Sequence, residues 1–192
     1  IAKKRNLKQA VMQQLLTGRL RFPQFGKPAR KQGGLPKGWK MSRIQDIARV
    51  NPSTEKPKHE NCTVSFFSMA DISEEGRIAT EQKRPYLSVT NGFTSFQDGD
   101  ILVAKITPCF QNGKGAHVKG LTNGIGYGST EFHVVRPRKV DERFLFLHTQ
   151  SRPFRARGEA NMTGSAGQKR VPTDFIRKYP IPLPSDEEQR YI

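Results

Sequence analysis

The stretch from Gly99 to Lys114 constrains this chain most, because it begins as a strand that calls for cover on both sides. In Ile101-Leu102-Val103-Ala104-Lys105-Ile106, Leu102, Ala104 and Ile106 share one face, and Ile101 and Val103 share the other. Apolar residues on both faces predict a central strand rather than an edge. The second face turns polar at Lys105, and Thr107-Pro108 ends the run, since proline has no N–H to give a ladder. Cys109-Phe110-Gln111-Asn112-Gly113-Lys114 follows as a polar loop. A buried stalk that ends in amide and ammonium side chains is a rigid support for a site on its loop.

Over 192 residues, Lys and Arg number 33 against 17 Asp and Glu, a formal charge of +16. The basic residues are spread through patterned segments instead of one tail, so a polyanionic partner is the expected reason for the excess. Cys62 and Cys109 are too few for a disulfide framework or a zinc site, and read as free thiols of a reducing cytosol. No apolar run reaches membrane-spanning length. The chain starts at Ile1 and not at Met, which points to a piece of something longer or to a chain whose start is missing.

A helix end is predicted over residues 1–18, with Leu7, Val11 and Leu15 at i, i+4 and i+8 and Gly18 as its stop. Residues 19–34 read as a basic linker, flexible from Lys27 to Gly34. The main domain spans 35–184 and begins at Leu35-Pro36-Lys37-Gly38-Trp39, whose tryptophan can anchor a core. Within it, strands are expected at 64–69, 100–106, 115–118 and 131–136. Met41–Val50 is amphipathic without a clear type, 70–87 reads as irregular, and the glycines of 123–129 read as tight turns. Asp141 and Ser151 each open a helix, to Gln150 and to about Asn161. Gly164–Arg170 reads as a loop and Tyr179–Pro184 as extended. Ser185-Asp186-Glu187-Glu188 is a capping box that starts another helix over 185–192. A helix arrives, a helix departs, and a mixed α+β domain lies between.

Enzyme chemistry finds little to use. Asp71 followed by Glu81-Gln82-Lys83 loosely matches the acid and Glu-x-Lys of a metal-dependent nuclease, but on a stretch with no strand pattern. Asn51-Pro52-Ser53-Thr54 lacks the second proline and the ring of the tetrad with which amino-methyltransferases grip an amine. Gly124-x-Gly126-x-Gly128 leads into a strand rather than a helix, so it is no dinucleotide fingerprint. His133 and His148 read as packing residues. No cofactor is expected.

Binding chemistry finds more. Gln111, Asn112 and Lys114 are types that read base edges, amides on adenine and a cation on guanine, although an ordinary Asn-Gly turn would look the same. Ser165, Gln168, Lys169 and Arg170 lie on a loop able to clamp a phosphate, or merely to connect helices. Lys83, Arg84 and Lys105 are further candidate DNA contacts. A general nucleic-acid or RNA-binding module is the third possibility beside the DNA reader and the nuclease; its usual aromatic platform is thin here, since Phe66 and Phe67 are adjacent and only one can face outward.

At these residues the sequence resembles the specificity (S) subunit of type I restriction–modification enzymes. The likeness runs through Asn6–Gly18, Leu35-Pro36-Lys37-Gly38-Trp39, Gly99-Asp100-Ile101-Leu102, Lys105-Ile106-Thr107-Pro108, Gly128-Ser129-Thr130-Glu131-Phe132, Gly167-Gln168-Lys169-Arg170-Val171-Pro172 and Pro182-Leu183-Pro184. The resemblance implies one DNA target recognition domain flanked by the ends of long, coiled-coil-type helices. It implies reading of one half of a bipartite double-stranded DNA site, without catalysis of its own. It further implies methyltransferase (M) subunits docked on the helices, with Leu7, Val11 and Leu15 as helix contacts, and a restriction/motor (R) subunit. A second recognition domain, in the same chain or in a dimer, completes the picture.

Overall fold

The structure, a computed structural model, describes residues 2–29, 34–165 and 167–192. Helix α1 (Ala2–Leu16) ends at the predicted stop. Gly18 takes φ +67°, and a Cβ there would meet Pro36 at 2.3 Å, so only glycine lets the chain turn back so close to the domain. Of the expected linker, residues 30–33 lie outside the described residues.

The untyped segment 41–50 resolves into three short elements, β1 (Lys40–Arg43), α2 (Ile44–Ile47) and β2 (Ala48–Val50). Three strands follow: β3 (Thr63–Phe67), β4 (Gln82–Pro85) and β5 (Thr94–Gln97). Then come β6 (Ile101–Ala104), β7 (Gly115–His117), β8 (Ile125–Gly128) and β9 (Phe132–Pro137). Helices α3 (Glu142–Thr149) and α4 (Arg152–Ala160) start at the predicted caps, where Asp141 and Ser151 side chains accept from the amides of Phe144 and Phe154. The chain closes with α5 (Thr173–Lys178), β10 (Pro180–Leu183) and α6 (Asp186–Tyr191).

Two four-stranded sheets form the body. The first, in the order β2-β9-β6-β7, is antiparallel throughout; the second, β4-β3-β8-β5, is mixed, with β3 and β8 parallel. A small β1–β10 ribbon joins the beginning of the domain to its end.

Strand β6 is central, as the pattern predicts. Its Ile101 and Val103 pack with Val135 against Phe144, Leu145, Phe154 and Ile176 of the helices. Leu102 faces the other way, with Val134 and Phe132, onto Phe67 and Phe96 of the second sheet. The second sheet carries a third apolar cluster around Val64, Phe66, Tyr86, Val89 and Tyr127. Each fully buried ring or branched side chain contributes about 1.5–3 kcal/mol, so both faces of β6 are needed to hold the layers together.

Three expectations are corrected. The segment 70–87 is not wholly irregular, because Gln82–Pro85 pairs antiparallel with β3 as β4. Its polar residues alternate in exposure without an apolar face, as an edge strand allows, and Pro85 closes it. The glycines of 123–129 do not all make turns, since Gly126 and Gly128 lie inside β8. A Cβ on Gly126 would sit 2.1 Å from the Phe96 ring, so the residue is small to admit that ring. At the last helix, Ser185 caps the amide of Glu188, but the Glu188 carboxylate does not close the box. It accepts instead from Arg21 at 2.8 and 2.9 Å and from the Trp39 indole at 3.0 Å.

Candidate nucleic-acid interface

The candidate residues fall into three places. At the end of β6, the Lys105 carbonyl accepts from the amide of Val171, and the Lys105 ammonium donates to the Thr130 carbonyl at 2.7 Å. Burial holds that ammonium below the ordinary lysine range, with Glu131 opposing the shift. The loop 163–170 is closed by a Thr163–Arg170 bridge, and a second bridge joins Arg170 to Ile106. The Lys169 carbonyl accepts from both the amide and the hydroxyl of Thr107, each at 3.0 Å. Lys105, Lys169 and Arg170 are thereby brought together, with Ser165, Gln168 and Lys169 exposed beside them.

This loop is braced more than an open phosphate clamp would be. The Arg170 guanidinium forks onto Glu131 at 2.7–3.0 Å and also donates to the Gln168 carbonyl. The amides of Gln168 and Arg170 are used inside the loop, by the carbonyls of Ser165 and Thr163. Lys169 is its exposed cation with no directed partner among the described residues.

The second place is the loop after β6. Phe110 is buried beside Phe154 and anchors it. Gln111 donates to Glu159 of α4 at 2.7 Å and Asn112 to Glu74 at 2.7 Å, while Lys114 donates to the Met69 carbonyl at 3.0 Å. The three polar tips are thus tied to three neighbouring segments.

The third place is β4, on the other sheet. Lys83 is exposed, and Arg84 lies with its guanidinium carbon 3.6 Å from the centre of the Phe66 ring. The nuclease pattern on the same segment is dispersed. Asp71 accepts from the amide and hydroxyl of Ser68 and from Gln82, whereas Glu81 accepts from the hydroxyls of Ser65 and Thr122. The Ser65 hydroxyl holds the Glu81 carboxyl below its usual range. Among the described residues no three His, Cys, Asp or Glu side chains gather to hold a metal.

The remaining polar groups are structural. His133 bonds the Val171 carbonyl at 2.9 Å, and burial pushes its pKa down to about 4. His148 is buried against Phe144, with burial pushing its pKa down to about 3. The Arg136–Asp100 ion pair escaped the sequence reading. Arg136 forks onto buried Asp100 and holds the Ser53 carbonyl and Thr54 hydroxyl, fixing the base of the loop that follows β2. Only the spacing of Asp100 at the mouth of β6 could have flagged it.

These features describe a basic domain whose loops and edge strand are braced by distant partners. A profile described as the type I restriction modification DNA specificity domain matches residues 36–192. The chain is 44% identical over 161 residues to the type I restriction enzyme EcoEI specificity subunit of Escherichia coli, and 44% over 162 residues to the EcoAI specificity subunit. Each match covers 82% of this chain and 27% of the relative, so the chain spans about a quarter of those proteins. The fold is similar to the HsdS subunit from Thermoanaerobacter tengcongensis, with TM-score 0.66 and 22% identity over 82% of this chain and 40% of that one. A chain from a study of complex assembly and conformational transition of the type I R-M system gives TM-score 0.66 at 21% identity, over 82% of this chain and 41% of that one. The chain belongs to the type I restriction–modification specificity family, as a DNA target recognition domain of the S subunit. No helix among the described residues is long and apolar enough to cross a membrane.

Proposed function

We propose that this domain reads one half of a bipartite double-stranded DNA site for a type I methyltransferase and endonuclease complex in the cytoplasm. The observation that carries the reading is the 44% identity to two specificity subunits over about a quarter of their length, one recognition domain's share. The charge of +16 supplies the phosphate attraction such a reader needs.

The parts then divide as follows. Residues 35–184 form the recognition domain, 1–18 end one spacer helix, 19–34 link it, and 185–192 begin the next. On α1, Leu16 is buried and Met12 packs on the helix-side core, while Leu7 and Val11 are exposed. That leaves Leu7 and Val11, with half-buried Leu15, as the outward face for a second helix or for M subunits. The R subunit joins the assembled complex, and a second recognition domain reads the other half-site. A helix rises about 1.5 Å per residue, so the spacers can set the distance between halves.

Lys83 and Lys169 are the exposed charges for phosphates, with Lys105 and the Glu131-held Arg170 beside Lys169, and Arg84, Gln111, Asn112, Lys114, Ser165 and Gln168 are the candidate contacts to base edges or sugar oxygens. Selection from a random duplex pool, with the chain alone and with its methyltransferase subunit, tests the reading. A short asymmetric motif is expected, and a flat pool at both low and moderate salt with the partner present overturns it.

A further inference from the structure

Arg84 is held differently from the arginines that carboxylates fix, and lies closer to its ring than Arg157 does to Tyr179, at 3.6 against 5.9 Å. Arg21, Arg136 and Arg170 have their planes fixed by carboxylates, namely Glu188, Asp100 and Glu131. The Arg84 plane is fixed without one. Its guanidinium carbon stands over Phe66, 3.6 Å from the ring centre, and Phe66 is itself buried and braced edge-on by Phe93 at 5.0 Å. Its Nη2 donates to Gln82 Oε1 at 3.0 Å. Gln82 cannot turn freely, because its Nε2 donates to Asp71 at 2.8 Å, and Asp71 is held by the amide and hydroxyl of Ser68, both at 2.7 Å.

Among the described residues, no other group takes the remaining N–H bonds of Arg84, and the side chain is half-exposed on an edge strand. A phosphate contact needs only a positive charge at roughly the right distance. A guanidinium stacked on a ring and turned by an amide gives up rotational freedom that such a contact does not require. What a fixed plane serves is a two-point acceptor lying in that plane. In a DNA groove that acceptor is guanine, with O6 and N7 side by side on its major-groove edge.

We infer that Arg84 reads a guanine in the half-site, with Phe66 and the Gln82–Asp71 pair as its positioning residues and the neighbouring Lys83 as a phosphate tether. The inference rests on the domain being a sequence reader. Edge strand β4 is then the element that enters the major groove.

The test is duplex selection by the chain together with its methyltransferase subunit, at two salt concentrations. Wild type is compared with Arg84→Lys, Arg84→Met and Gln82→Leu. The wild-type motif holds a guanine at which Arg84→Met loses about 10- to 100-fold of the preference, while other positions keep theirs. Arg84→Lys, which keeps the charge and the chain stem but not the fork, loses most of the same preference with an unchanged salt slope. Gln82→Leu weakens that preference alone and by less. An equal loss on all duplexes with a shallower salt slope makes Arg84 a phosphate contact and overturns the assignment. A lower melting temperature with an intact motif makes it a cover for Phe66, and equally overturns it. A wild-type pool without any motif overturns the domain reading itself, and the assignment with it.

Discussion

Arg21 and Glu188, 167 positions apart, meet in a two-pronged ion pair at 2.8 and 2.9 Å. The side chains keep only 8% and 2% of their accessible surface, and the Trp39 indole donates to the same carboxylate. This contact ties the segment after α1 to α6, so one ion pair joins the chain just after the first helix to the last. Removing one partner strands a buried charge, and Arg21→Met is expected to cost about 3 kcal/mol in denaturant unfolding. Arg21→Met combined with Glu188→Gln removes both charges, keeps an acceptor for Trp39, and should recover a large part of that loss. A double variant as unstable as the single one would show that the pair is not what holds the contact.

His133 and His148 make the fold sensitive to acid. Burial holds them to about 4 and about 3, whereas a histidine in the unfolded chain titrates near about 6.5. Below that upper value the unfolded chain takes up protons that the folded chain refuses. Stability is therefore full above pH ~6.5, falls as the pH drops, and levels off only once the folded rings protonate. Each ring contributes a slope of about 1.4 kcal/mol per pH unit inside the window. Urea unfolding at pH 7, 6 and 5 reads the slope, and His148→Leu should remove one ring's share of it. A flat response between pH 7 and 5 would refute the burial argument.

Gly126 faces a ring that cannot retreat, since Phe96 stacks on Phe67 with centroids 5.6 Å apart and 7° between planes. Gly126→Ala should destabilise by about 1–3 kcal/mol. Adding Phe96→Leu should soften the clash, so the double variant loses less than the sum of the single ones. Strict additivity in thermal melts would count against the contact.

Lys169 and Gln111 should separate two kinds of DNA contact. Lys169→Ala is expected to weaken binding to every duplex alike and to flatten the salt dependence by about one ion. Gln111→Ala should shift sequence preference with little change in salt slope. Because Gln111 is held by Glu159, Glu159→Ala should disturb the same position of the motif. Identical behaviour of the Lys169 and Gln111 variants on specific and random DNA would remove the distinction.

Much of the fold was legible where the signal is local. The two-faced apolar run of β6, the caps at Asp141 and Ser151, and the stop at Gly18 each follow from neighbours in sequence. The elements that stayed hidden take their structure from elsewhere. Strand β4 is polar on both faces and exists through its pairing with β3; β8 looks like a turn because its glycines make room for a ring from β5. The candidate site divides in the same way. The side-chain types on the loops could be read, but Glu74, Glu131 and Glu159, which hold three of them, come from segments 38, 39 and 48 positions away. No local pattern pairs such groups, and so the arrest of Arg170 by Glu131 and the poise of Arg84 on Phe66 emerge only in three dimensions.

Strand β6 works as a bulkhead. Ile101 and Val103 belong to the compartment shared with the helices, Leu102 to the one between the sheets, and the cluster around Phe66 and Tyr86 lies in a third. Distant changes that share no partners tend to act independently. A lineage can therefore rewrite the outer compartment, where β4 lies, while the walls that carry the helices keep their packing. On the proposed reading, vocabulary and measure would be inherited separately: the letters of a half-site could drift without resetting the distance to its counterpart.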